Sequence, residues 1–261
     1  MHLSNILNAI ALDEGRATVD IGEDWGQGRA SFGGLVAAVG NQAMRGLVPQ
    51  DRYLRSLQTT FIGPAPAGTW SVDAEVVRVG RAVTVARCDI GVGGEIAATL
   101  VGVYGAPRPS AVSVPLHATP AGRCPEDLRD SSLPDGAPKF LQHFAVRWLE
   151  GPAMFTGVRT PGKAFVRHRD PAPPAESHVV AIADCLPTPA MSMYRAPAPA
   201  SSLVWTLELL SHDFDFAPDA WWRIEHDTVC ARDGYVSQTG TMYDPAGRPA
   251  ALTRQLVAIF G

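Results

Sequence analysis

"SLQTTFIGPAPAGTWSVDAEVVRV" (residues 56–79) lies over "TLELLSHDFDFAPDAWWRIEHDTV" (206–229) without a gap, at an offset of 150 (208 − 58). Both read as a strand, a turn segment and a second strand. Further on, "GGEIAATLVGVYG" (93–105) lies over "AGRPAALTRQLVAIFG" (246–261) at an offset of 153 (255 − 102). The chain therefore repeats itself, and the repeat decides how the rest is parsed.

Working outward, residues 1–24 hold a short amphipathic helix (Leu3, Ile6, Leu7, Ile10) and a strand near 17–21. A Gly-rich loop spans 25–29. Ser31 is the expected N-cap of a helix running to about Met44, small and apolar all round as a buried helix is. Strands are predicted over 54–61, 70–79, 83–92 and 95–105, divided by turns at 63–66, 79–81 and Gly93-Gly94. Residues 106–138, rich in Pro, Ala, Ser and Gly, read as a connection. Strands near 144–149 and 164–168 follow, then a helix over 177–186 ended by Pro187, then strands over 202–210, 221–229, 234–243 and 250–260. The expectation is two homologous α+β units (1–108 and 139–261) joined by a linker (109–138). In each, a sheet curls around a helix.

Composition narrows the function classes. Of 261 residues, 46% are hydrophobic and 18% charged, a globular balance. The net charge of −4, with both signs interspersed, gives no reason to expect nucleic acid. No 18-residue apolar run predicts a membrane span, and the N-terminus lacks a signal pattern, so the expectation is a cytoplasmic protein. The four cysteines are scattered without a C-x-x-C and read as free thiols. The seven histidines form no metal-type cluster, and neither His212 nor His226 is taken as catalytic. There is no G-x-S-x-G elbow. Gly26-Gln27-Gly28 lacks the third glycine of a dinucleotide fingerprint, because Ser31 stands in its place. No cofactor and no metal is expected.

The overlay isolates three polar strand residues of the second unit. Gln255 lies over Gly102, Glu208 over Gln58 and Thr228 over Arg78. Glu208 is flanked by Leu207 and Leu209; a carboxylate buried there would have its pKa raised toward a useful general base. Plainer readings stand beside these: a cross-strand hydrogen bond for Gln255, an ion pair with Arg223 or Arg254 for Glu208, and strand propensity for Thr228. Asp184, in "AIADCLP", reads as a solvated residue at a helix C-terminus.

Several stretches resemble the double-hotdog, type II (TesB-like) acyl-CoA thioesterases. They are "RASFGGLVAAVGNQAM" (29–44), "LRSLQTTFIGPAPAG" (54–68), "TLELLSHDFDF" (206–216) and "DPAGRPAALTRQLVAIF" (244–260). The resemblance implies a tandem hotdog fold and hydrolysis of acyl-CoA. It also implies a site of Asp, Thr or Ser, and Gln in the second hotdog, binding one water. Carried over by position, the acid falls on Glu208, where the family has Asp, the hydroxyl on Thr228 and the amide on Gln255. Backbone N–H groups at Gly33 and Gly34 are the expected oxyanion donors, with helix packing as their plainer reading. A homodimer or higher homo-oligomer is expected by the same resemblance. Two alternatives remain: a hotdog hydratase, for which the Ser31-Phe32-Gly33 segment offers no His and carboxylate, and a non-catalytic acyl-CoA-binding module.

Overall fold

The computed structural model describes residues 1–133, 135–151 and 154–260; Pro134, inside the expected linker, and Gly261 lie outside the described residues. In chain order the elements are α1 (Leu3–Asn8), β1 (Arg16–Ile21), β2 (Gly26–Gln27), β3 (Ala30–Ser31), α2 (Gly33–Leu47), β4 (Tyr53–Phe61), β5 (Gly68–Val79), β6 (Val83–Val92) and β7 (Glu95–Gly105). The second half adds β8 (Phe144–Glu150), β9 (Gly162–His168), α3 (Glu176–Ala183), β10 (Ala200–Leu209), β11 (Trp222–Arg232), β12 (Tyr235–Tyr243) and β13 (Pro249–Ile259). The predicted strands are all present, with ends moved by up to three residues. The helix expected from Ser31 starts later: Ser31 pairs with Gly26 in the β2–β3 ladder, and Phe32 is the N-cap.

Eleven strands form one sheet in the order β1-β5-β6-β7-β4-β10-β13-β12-β11-β9-β8. Counted from the centre outward, β4-β7-β6-β5 on one side corresponds to β10-β13-β12-β11 on the other. β4 and β10 join the halves as an antiparallel pair, with Leu57 opposite Leu207. Two-residue turns close matching hairpins in the two halves. Gly93 and Gly94 take φ of +61° and +90°, and Asp233 and Gly234 take +54° and +79°. Positive φ at both central positions gives the turn whose twist matches the strands it joins.

α2 explains the curl. Its residues Leu35, Val36, Ala37, Ala38, Val39, Ala43 and Met44 are buried, so the helix has no solvent stripe and must be enclosed. It packs against β5, β6 and β7 and against α3. Alternation along β5 turns Trp70, Val72 and Ala74 inward onto this core. A Cβ at Gly40 would stand 2.8 Å from the Leu100 side chain, so glycine there permits close helix–sheet contact. Gly102 serves another neighbour: a Cβ would stand 2.7 Å from the Tyr104 ring, whose hydroxyl donates to Asn41 Oδ1 at 2.8 Å.

Asn41 ties the halves together. Buried on α2, it donates through Nδ2 to Ser177 Oγ (3.0 Å) and Glu176 Oε1 (3.1 Å) at the start of α3. Glu176 Oε2 in turn accepts from the Leu54 N–H of β4. Residues 106–138 contain neither α-helix nor strand among those described, and they dock on the second half through Thr119 N–H to Gly247 O and Arg223 to Thr119 O. Cys88 and Cys185 are buried free thiols, whereas Cys124 and Cys230 are exposed. No described helix is long and apolar enough to cross a membrane.

Replacing Asn41 by Leu leaves Tyr104 Oη without its acceptor and Glu176 Oε1 and Ser177 Oγ without the amide donor. The expected loss in urea unfolding is about 2–3 kcal/mol; an unchanged midpoint would contradict the role given to this residue.

Candidate active site

Gln255 sits on the inner face of β13. A row runs across the sheet through paired positions: Thr59, Trp205, Gln255, Gln238 and Thr228. All five are buried. Each polar group of the Gln255 amide has a partner. Nε2 donates to Ser202 Oγ at 2.6 Å and to Asp184 Oδ1 at 3.1 Å, and Oε1 accepts from Gln238 Nε2 at 2.7 Å. An Asp, a Ser and a Gln therefore meet in the second half of the chain.

Asp184 is the C-cap of α3. The apolar sequence Val179–Ala183 is buried, and the helix carries its last residue inward with it. Asp184 keeps some solvent contact as a residue, but its carboxyl group is drawn inside. That burial pushes its pKa up to about 7, against the opposing hydrogen bonds from Gln255 and from the Gly34 N–H. The position also sets two helix ends against each other. The negative end of α3 opposes the carboxylate, and the positive start of α2 favours it. Next to it, burial holds the Cys185 thiol well above its ordinary range, with the Asp184 charge adding to the effect.

The glycines expected to hold an oxyanion lie beside the Asp184 carboxyl group, and the Gly34 N–H lowers its pKa. A Cβ at Gly34 would stand 2.8 Å from Ala181 O, and one at Gly33 would stand 2.8 Å from Asp184 Oδ2. Both absences of a side chain let the start of α2 approach α3 and its carboxylate.

Glu208 is not brought to Gln255. It is exposed, pairs with Leu252 and Ser56, and faces away from the core that receives Leu207 and Leu209. Strand alternation separates a residue from its immediate neighbours, so leucine flanks do not bury the residue between them. Arg223, offered as its ion partner, pairs with Glu225 at 3.2 Å. Thr228 does share the row but lies two strands from Gln255, with Gln238 between. Its hydroxyl is buried without a partner among the described residues. Ser202 reaches the site through an irregularity in β10. The register shifts between Ser202 and Val204, and the added residue reverses the alternation that sends Val204, Thr206 and Glu208 outward.

Comparison with known proteins places this geometry. A hot dog fold protein of unknown function from Alicyclobacillus acidocaldarius superposes with a TM-score of 0.87 at 21% identity, covering 100% of this chain and 99% of that one. A putative thioesterase II from Thermobifida fusca gives 0.82 at 18% identity (99% and 97% covered), and an acyl-CoA thioesterase II from Mycobacterium marinum gives 0.78 at 17% (99% and 98%). These likenesses establish an α+β hotdog fold. No curated protein matches in sequence. Residues 21–105 match the family model described as the acyl-CoA thioesterase N-terminal domain, and residues 122–259 match the C-terminal domain. The chain belongs to the acyl-CoA thioesterase family and is a thioester hydrolase.

Asp184 has a definite linkage signature. Its folded pKa, about 7, is raised above the ordinary 3.8. The folded state is therefore favoured while the group is protonated, and this advantage is lost as pH rises through 7. Asp184→Asn is expected to be more stable than the parent at pH 8 by about 1–3 kcal/mol, with the gap closing toward pH 4. Chemical unfolding at both pH values checks this, and a gap that does not depend on pH would contradict a raised pKa.

Proposed function

We propose that the chain hydrolyses acyl-CoA thioesters with a water activated by Asp184 and positioned by Ser202 and Gln255. The observation that carries this reading is the pair of hydrogen bonds from one Gln255 amide to a carboxylate poised near neutrality and to a hydroxyl. In the reaction, a water hydrogen-bonded by Ser202 gives a proton to Asp184 as its oxygen attacks the thioester carbonyl carbon. The C–O bond forms, the C–S bond then breaks, and the thiolate leaves and takes up a proton. Thiolate is a good leaving group, so base catalysis and positioning supply the chemistry. The Gly33 N–H, in the first turn of α2, is our candidate donor to the carbonyl oxygen as it becomes negative.

The tandem arrangement belongs to the same proposal: two hotdog units, 1–108 and 139–261, joined by 109–138. The equivalent strand orders on either side of β4–β10 and the separate N- and C-terminal family matches support it. Homo-oligomerisation, which the family resemblance implies, belongs to the same proposal. A native mass above that of the 27.8 kDa chain is expected; the chain mass itself would reject it.

The kinetic test follows thiol release from a series of acyl-CoAs. kcat/KM is expected to fall about tenfold per pH unit below an apparent pKa near 7, because the base must be ionised. Asp184→Asn is expected to lose about 10²–10⁴-fold in kcat and Gln255→Ala about 10²-fold. Glu208→Gln is expected to retain the parent rate. Tight acyl-CoA binding without thiol release would overturn hydrolysis at this site, and full activity in Asp184→Asn would overturn the assigned base.

A further inference from the structure

The Gln255 amide can serve Asp184 and Ser202 only in one of its two orientations. Both of its N–H donors are used, one on each partner. Rotating the amide by half a turn would aim its carbonyl at a carboxylate and a hydroxyl oxygen and leave its donors facing the sheet. Something must hold the correct orientation, and the catalytic partners do only part of this, since a serine hydroxyl accepts and donates equally well.

We propose that Gln238 is a positioning residue of the hydrolytic site, fixing the Gln255 amide so that both its donors face Asp184 and Ser202. This inference rests on the assignment of Asp184 and Gln255 as catalytic. Gln238 stands directly opposite Gln255 in the β12–β13 register, and its Nε2 donates to Gln255 Oε1 at 2.7 Å. It is 6% exposed, so water competes weakly for this contact. A turned Gln255 would set its Nε2 against Gln238 Nε2, two donors facing each other, so the two amides can turn only together. In this arrangement Gln238 Oε1 is buried without a partner among the described residues. An apolar side chain at 238 would spare this orphaned carbonyl but would leave the buried Gln255 Oε1 without its donor. The neighbours of the carboxyl group do not substitute for this control. The Gly34 N–H is fixed by α2, and the Cys185 thiol stays protonated.

The effect passes to the base through one hydrogen bond. The Gln255 contact favours ionised Asp184. When the amide is free to turn, that support weakens, and the Asp184 pKa moves up. The test is Gln238→Met, close in shape and lacking the donor, with Gln238→Glu as a second, polar variant whose carboxylate offers Gln255 only acceptors. kcat and KM for a short-chain acyl-CoA are measured from pH 6 to pH 9, beside Asp184→Asn and Gln255→Ala, with thermal melting of each variant. The expected result for Gln238→Met is a kcat lowered about 10- to 100-fold, an unchanged KM, and an acidic limb displaced to higher pH. Gln238→Glu is expected to lose at least as much at pH 9. A lowered rate with the limb unmoved indicates a structural role and overturns the proposal, as does an unchanged rate. If Asp184→Asn and Gln255→Ala keep full activity, the catalytic assignment fails first. If they are inactive while both Gln238 variants behave as the parent, only the positioning role fails.

Discussion

Burial of the Asp184 carboxyl group is the constraint around which this site is built. Moving the pKa from 3.8 to about 7 represents up to roughly 4 kcal/mol of cost to the charged form. The surroundings limit that cost without cancelling it. The Gly34 N–H and the Gln255 amide favour the ionised state, and desolvation together with the end of α3 opposes it. The outcome is a carboxyl group that is partly ionised near neutral pH.

That balance requires both halves of the chain. The first supplies α2, whose glycine-bearing start comes close enough to donate to the carboxyl group of a different helix. The second supplies α3, which ends at the carboxylate, and the inner row of β10, β12 and β13, which supplies the amides and the hydroxyl. The Asn41–Glu176–Ser177 bonds clamp α2 to α3 at the far end of the same helix pair. A disturbance at Asn41 would therefore reach the site through the relative position of two helices.

Much of this was legible in the sequence, for identifiable reasons. Alternation and turn residues located the strands, and the internal overlay singled out Gln255 as a polar residue that its counterpart Gly102 did not explain. Glu208 was misread because its leucine flanks were taken as its surroundings; in a strand they belong to the opposite face. Asp184 looked solvated because it precedes a helix-ending proline. The signal that could have corrected this was the helix itself, "VVAIA" (179–183), with no polar face to turn toward water. Ser202 was beyond reach, because the displacement that turns it inward is an inserted residue visible only in the pairing of β10 with β13. Thr228 lies in the same inner row, and the strand register sets Gln238 between it and Gln255.

Direct titration of the buried acid is the sharpest test of this account. Carbon NMR of protein labelled at the aspartate carboxyl carbons, followed from pH 4 to pH 9, resolves individual ionisations. One aspartate titrating near pH 7, and missing from the Asp184→Asn spectrum, is the predicted result. Titration of every aspartate below pH 5 would contradict it.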